Sequence, residues 1–419
     1  MKNIGIACSL LLLIMICGCG QMGAGNSVSD LSNKGAVQGR IYDSASSPVA
    51  AGKYVPVPGA VITAGAASAV SGADGSYSLS GLPAGEIMVT ASAEGFTSQS
   101  LTVNSSSVNF YLAGKNYSPT GGSSVITGTI YGLPRGVTIV DGAAFTLQER
   151  SSHFTYNSSL YQYTLSQAPD DGETYLFAFY TSQEADTYYC NYYTYTRLNM
   201  NSSSQEVNLD FGNSTGSLAV NASLPADYQY PSLMIALYNG ARFVNELYWK
   251  TQSQEANFVA SRLPALQSGD SFGVQLSVTC KVGGETMMKV IARYGVTAGA
   301  ALNFDLTLVP ALFTSGPIDG AALNSNPTFC WQKLSGTNIL YYVTLMTDEL
   351  TPRTIWTGYT AGDSLTLPDS VVLNNGSYKW QLSAANTTGI DLADIGASIA
   401  GAYINWGVVS SVKKFSLSK

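Results

Sequence analysis

Residues 187–197 read TYYCNYYTYTR, which packs five tyrosines, one amide and one thiol into eleven positions. Taken as a single strand, this run alternates its side chains between two faces. Tyr188, Cys190 and Tyr192 share one face, while Tyr189, Asn191, Tyr193 and Tyr195 share the other. Cysteine prefers burial, so the second face is expected to meet solvent. A row of tyrosines with an interleaved amide suits stacking on sugar rings or gripping a protein, because each ring is apolar with a polar tip. The competing reading is cross-strand aromatic pairing that stabilises an exposed sheet. Tyr189, Asn191, Tyr193 and Tyr195 are therefore the candidate ligand-binding residues.

Elsewhere the residues that do chemistry are sparse. A hydrolase needs a nucleophile, a base and an orienting group within reach of one another. The one histidine, His153, lies in a polar stretch, ERSSHFTYNSS, and the nearest approach to a nucleophile elbow, residues 396–400 (GASIA), lacks its final glycine. A glycosidase needs two carboxylates on a shared cleft. Asp170 and Asp171 instead precede Gly172 in a turn pattern, where a weak calcium site is the lesser reading. Cys190, Cys280 and Cys330 stand 50–90 residues apart, which is no disulfide framework, and each reads as a small buried hydrophobe. Without CxxC or a second histidine there is no ligand set for zinc or haem, and no Gly-rich loop cradles phosphate. The net charge of −7 argues against a nucleic-acid groove. The expectation is binding rather than catalysis, with no catalytic residues, metal or cofactor.

The N-terminus carries an address. Lys2 supplies the charge, Ile4 to Ile16 the apolar run, and Ile16, Cys17, Gly18 and Cys19 follow in order. This end resembles a bacterial lipoprotein signal, although Cys17 stands where Ala or Ser is commoner. An ordinary cleaved signal and an uncleaved anchor are the alternatives. The resemblance implies that residues 1–18 leave and that Cys19 is the lipid-attachment residue, followed by a flexible tether over 19–34. Several acyl chains hold a protein on a membrane where one is marginal. Gly20, rather than Asp, after Cys19 implies sorting to the outer membrane. The expected location is thus the bacterial cell envelope, with the membrane as a partner through the lipid.

What positions these residues is β structure. Only 11% of the 419 residues are charged, and 42 Gly and 26 Tyr suit strands and turns. Tyr77 and Leu79 alternate before Leu82, Pro83 and Gly85, and then Ile87, Val89 and Ala91 alternate again, which predicts a β-hairpin with one face buried. Residues 37–43, 58–65 and 108–114 read as further strands. With Gly39, Pro58, Gly59, Asp74, Gly75, Gly81, Gly95 and Phe96 in this order, residues 35–114 resemble a carboxypeptidase regulatory-like domain, a seven-stranded prealbumin-type sandwich. The segment Tyr77 to Pro83 (YSLSGLP) has counterparts in Tyr163 to Pro169 (YTLSQAP) and Phe258 to Pro264 (FVASRLP), about 86 and 95 residues apart. Such long periods mean tandem domains: a second sandwich over 122–212 and a divergent third over 215–310. Residues 313–419 resemble a fibronectin type III-like sandwich, with Trp331, Tyr342, Val343, Leu345, Leu367, Tyr378, Trp380 and Leu382 at core positions. An insertion at 387–407 spaces Leu392, Ile395, Ile399, Tyr403 and Trp406 for one helix face, capped by Asp391, as a lid on its own domain or a docking element.

The fold class expected is all-β, a set of tandem Greek-key β-sandwiches. The regulatory-like fold belongs to a group that includes carbohydrate-binding modules. The resemblance therefore implies a lipid-anchored binding protein, with a polysaccharide or an envelope protein as partner. The alternative is a structural spacer or assembly subunit of a surface complex.

Overall fold

The computed structural model describes residues 35–43, 55–83, 85–103, 106–112, 123–137, 140–145, 154–168, 172–183, 189–239, 242–251, 256–388 and 403–418. Cys19, the tether, His153, Asp170, Asp171 and residues 389–402 lie outside them. The chain is all-β: four sandwiches in tandem, with two single 3-10 turns among the described residues.

The first sandwich holds β1 (Ala36–Asp43), β2 (Val61–Ala64), β3 (Ala67–Val70), β4 (Ser76–Ser80), β5 (Ile87–Ser92), β6 (Ser98–Val103) and β7 (Phe110–Leu112). In one sheet β1 lies antiparallel to β4 and parallel to β7, and the other runs β3-β2-β5-β6. Tyr77, Leu79, Ile87, Val89 and Ala91 are all buried, as their alternation requires. The pairing differs from the expected hairpin. β4 and β5 belong to opposite sheets rather than to one hairpin. Alternation reports which face is apolar and says nothing about which strand lies alongside. Gly39 is fixed by contact, since a Cβ there would sit 1.7 Å from the Val108 carbonyl oxygen, to which the Tyr77 hydroxyl donates at 2.8 Å.

The second sandwich comprises β8 (Ser124–Tyr131), β9 (Asp141–Phe145), β10 (Thr155–Asn157), β11 (Gln162–Ala168), β12 (Gly172–Gln183), β13 (Tyr189–Met200), β14 (Ser204–Glu206) and β15 (Leu209–Asp210). The third comprises β16 (Gly216–Ser223), β17 (Tyr228–Asn239), β18 (Arg242–Thr251), β19 (Asn257–Leu263), β20 (Asp270–Val282), β21 (Glu285–Val296) and β22 (Ala301–Asp305). Both repeat the first plan. β8 is antiparallel to β11 and parallel to β15, and β16 is antiparallel to β19 and parallel to β22. Tyr163 donates to the Val207 carbonyl at 2.6 Å beside Gly128, the same device as Tyr77 and Gly39.

One backbone detail unites the three copies. Gly81, Gln167 and Arg262 occupy the same place in the repeated segment and all have positive φ (73°, 60° and 56°). Only glycine adopts this region without penalty. Gln167→Gly is therefore expected to stabilise the second sandwich by about 1 kcal/mol, read as a higher urea midpoint at unchanged slope. A loss of stability would mean that the Gln167 side chain contributes more than its backbone costs.

The fourth sandwich holds β23 (Thr314–Gly316), β24 (Ala321–Leu323), β25 (Thr328–Trp331), β26 (Ile339–Thr347), β27 (Thr354–Thr360), β28 (Ser364–Thr366), β29 (Gly376–Thr388), β30 (Tyr403–Val409) and β31 (Lys413–Leu417). Phe329, Trp331, Trp356, Trp380 and Leu382 fill it. Tyr342 is buried as expected, although on the face of β26 opposite Val343, and Tyr378 is half-buried with its ring packed against this core. Tyr403 and Trp406 do not continue a helix. They lie in β30, paired with β29 and β21. A three-to-four spacing of apolar residues cannot exclude a strand when its last members alternate against a neighbouring sheet. Leu392, Ile395 and Ile399 fall outside the described residues.

The fourth sandwich is the keystone. β21 of the third pairs antiparallel with β30, and β6 of the first pairs parallel with β27. The result is one continuous 14-stranded sheet whose main path runs β18-β17-β20-β21-β30-β29-β26-β27-β6-β5-β2-β3. In space, therefore, the first sandwich lies beside the last. Leu340 of β26 joins the core of the first sandwich, and the Trp356 indole donates to Ser100 at 2.8 Å. The Lys413 ammonium meets both Glu285 carboxylate oxygens at 2.6 Å across the joint between third and fourth.

Candidate functional site

From Tyr189 on, the tyrosine run lies in one strand, β13, at the edge of the sheet β13-β12-β9, and Thr187 and Tyr188 fall outside the described residues. Register against β12 places Tyr193 opposite Phe179 and Tyr195 opposite Phe177, while Tyr192 lies opposite Tyr180. Tyr192 is buried, in keeping with the alternation. The other face is not the solvent-facing ladder expected. Tyr195 is only 6% exposed, and Tyr193 is half-buried with its ring 5.3 Å from that of Phe179. Tyr189 and Asn191 pair with Gln183 and Thr181 through the backbone, and their side chains lie outside the described residues.

The reason is the third sandwich, which packs against this strand and buries its second face. The Tyr195 hydroxyl donates to Asp270 at 2.7 Å and accepts from the Gln267 amide at 3.0 Å. Its ring stacks on Phe177 at 5.2 Å. Asp270, with a side chain 0% exposed, also accepts from Asn239 at 2.9 Å and from the Tyr175 hydroxyl at 3.4 Å. Arg197 lies 3.7 Å from Asp270, pairs with Glu173 at 3.1 Å and donates to the Ser268 carbonyl at 2.9 Å. Burial, with the Asp270 bond next, pushes the Tyr195 hydroxyl far above the ordinary tyrosine range, and burial pushes Tyr175 up to about 12. Both rings therefore stay neutral donors. On the opposite face Arg262 reaches back, 2.9 Å from the Tyr180 hydroxyl and 5.1 Å from the centre of the Tyr192 ring. A strained backbone position thus carries an interdomain pin. Arg197, Asp270 and Arg262 were not singled out from sequence. A charged residue where the first repeat has Gly81 was the available signal for Arg262.

Beside this seam Glu246 stands in β18 opposite Ala236. Burial alone pushes its carboxyl up to about 7. A raised acid is harmless below the unfolded value. Between about pH 4.5 and 7 the unfolded chain ionises first, so stability falls as pH rises, and the full penalty stands above 7. Glu246→Gln is expected to gain about 1–2 kcal/mol at pH 8, discounted for partial solvent access, and nothing at pH 4. Equal gains at both pH values would show that charge burial is not the cause.

Cys280 is buried, whereas Cys330 is half-exposed rather than the buried hydrophobe expected, because it alternates with Phe329 and Trp331 on the outer face of β25. Among the described residues no group of three or more His, Cys, Asp or Glu side chains could hold a metal ion.

Residues 36–113 match the family model of the carboxypeptidase regulatory-like domain. Among curated proteins none matches this chain. Solved structures share it only loosely. The FN1–FN3 domains of chicken CNTN1 are 9% identical over 72% of this chain and 100% of theirs, with a TM-score of 0.18. The E. coli alpha-2-macroglobulin is 11% identical over 87% of this chain and 27% of its own, with a TM-score of 0.15. For the Salmonella alpha-2-macroglobulin reacted with methylamine the values are 10%, 92%, 28% and 0.12. At such scores the likeness says nothing about how the sandwiches are arranged. Residues 36–113 carry the regulatory-like domain, and the two sandwiches after it repeat its strand pairing.

Proposed function

We propose that this chain is a non-catalytic scaffold of the bacterial cell envelope, held to the outer membrane by lipid on Cys19, that serves as a structural or assembly subunit. The supporting observation is the keystone arrangement. Sandwiches meant to act as independent binding beads are joined by small, polar contacts. Here the first, third and fourth share one sheet, and the second is clasped to the third through Asp270. A preassembled body of this kind holds partners at fixed separations.

Recognition of a polysaccharide through the tyrosine run has less support. Tyr195 is buried and Tyr193 half-covered, which leaves Tyr189 and Asn191 of the four candidates. Calorimetry on residues 20–419 tests the scaffold. One cooperative transition is expected, and separate melting of the first sandwich would overturn it. The anchor is tested on its own. Cys19→Ala should abolish incorporation of labelled fatty acid and release the protein from membranes, whereas a mature N-terminus elsewhere by mass spectrometry would refute lipidation.

A further inference from the structure

Open sheet edges attract other strands, and proteins block them with charge, proline, bulges or cover. Several such edges are managed among the described residues. The outer edge of β6 takes β27, and that of β21 takes β30. The equivalent edge of β13 is capped by side chains: Ser214 donates to the Tyr193 carbonyl at 2.7 Å and Gln205 to the Asn199 carbonyl at 2.9 Å. β18, at one end of the 14-stranded sheet, carries Lys250.

β3, at the other end, shows none of these devices among the described residues. It pairs with β2 on one side only. From Tyr54 to Ala73 no residue is charged, and β3 itself is Ala67, Ser68, Ala69 and Val70. Its Val70 and the opposing Val61 are 63% and 40% exposed on one face. That face continues onto the fourth sandwich, where Ser370 accepts from Thr63 at 3.2 Å and Val372, two residues on, is 79% exposed. Exposed valines therefore flank this edge, two on the first sandwich and one on the segment of the fourth that meets it.

We propose that the β3 edge, with Val61, Val70 and Val372, is where a second copy of this chain pairs, antiparallel and two-fold, extending the sheet from one molecule into the next. The occupant follows from self-complementarity. A two-fold edge contact needs one bare edge per copy and no other feature. The absence of charge over residues 54–73 also lets two chains of net charge −7 approach at this point without local repulsion. Edge-to-edge joining is already the way this chain connects its own sandwiches. The inference goes beyond the scaffold reading and does not depend on the lipid.

Sedimentation equilibrium on residues 20–419, which include every described residue, decides it. A reversible dimer is expected at concentrations up to about 100 µM, the range of weak specific contacts. Val70→Lys, a change at an exposed side chain, should raise the dissociation constant by about tenfold or more while leaving the melting temperature unchanged. Ser68→Glu, in the same strand, should do the same. A strictly monomeric parent would overturn the proposal. A dimer that survives both substitutions in folded protein would overturn it too, by placing the contact on another surface.

Discussion

Asp270→Ala is expected to cost about 3–5 kcal/mol, the loss seen when one partner of a buried ion pair is removed. The carboxylate is fully buried and collects donors from three strands: Tyr195 on β13, Asn239 on β17 and Tyr175 on β12. Alanine would strand those donors and leave Arg197 with Glu173 alone on its acidic side. Asp270→Asn keeps an acceptor and the shape, so its loss should be nearer about 1–3 kcal/mol. Chemical unfolding should show the two variants in that order, with the second sandwich loosening first in hydrogen exchange. If both behave like the parent, the seam is incidental and the second sandwich moves independently.

The seam also marks where the sequence could be read and where it could not. Period-two alternation around Tyr77, Leu79, Ile87 and Val89 gave the buried face of the first sandwich, because those positions face the interior between its own two sheets. The repeat of Tyr77 at Tyr163, with glycines 39 and 128, carried a whole tertiary device, a tyrosine bonded to a distant carbonyl. Alternation failed at Tyr195 for a physical reason. It distinguishes a strand's two faces but assumes that one of them is wet, and the third sandwich dries the second face. The joint of β6 to β27 is similarly silent. Nothing local in Ser98 to Val103 announces a parallel partner some 256 residues away. Equally silent is the contribution of Leu340, from the fourth sandwich, to the core of the first.

That joint supports the second large effect. Trp356→Ala should cost about 3–5 kcal/mol as a fully buried indole removed from a packed core. Its ring stacks on Phe329 at 5.9 Å, and its strand carries β6. The consequence should therefore cross the domain boundary: amide exchange across Ser98–Val103 should accelerate although no residue of the first sandwich has changed. A smaller substitution isolates the polar part. Ser100 is bonded to Thr90 at 2.7 Å and accepts the Trp356 N–H, whereas the indole N–H groups of Trp331 and Trp380 are buried without a partner. Ser100→Ala would place Trp356 in their situation, at about 1–3 kcal/mol. If Trp356→Ala destabilises the fourth sandwich yet leaves exchange at β6 unchanged, the first sandwich is tethered rather than welded. The scaffold reading would then lose the contact on which it rests. If exchange rises in both places together, the first and fourth sandwiches are mechanically one body, and a load on the first would be carried through β27 into the fourth.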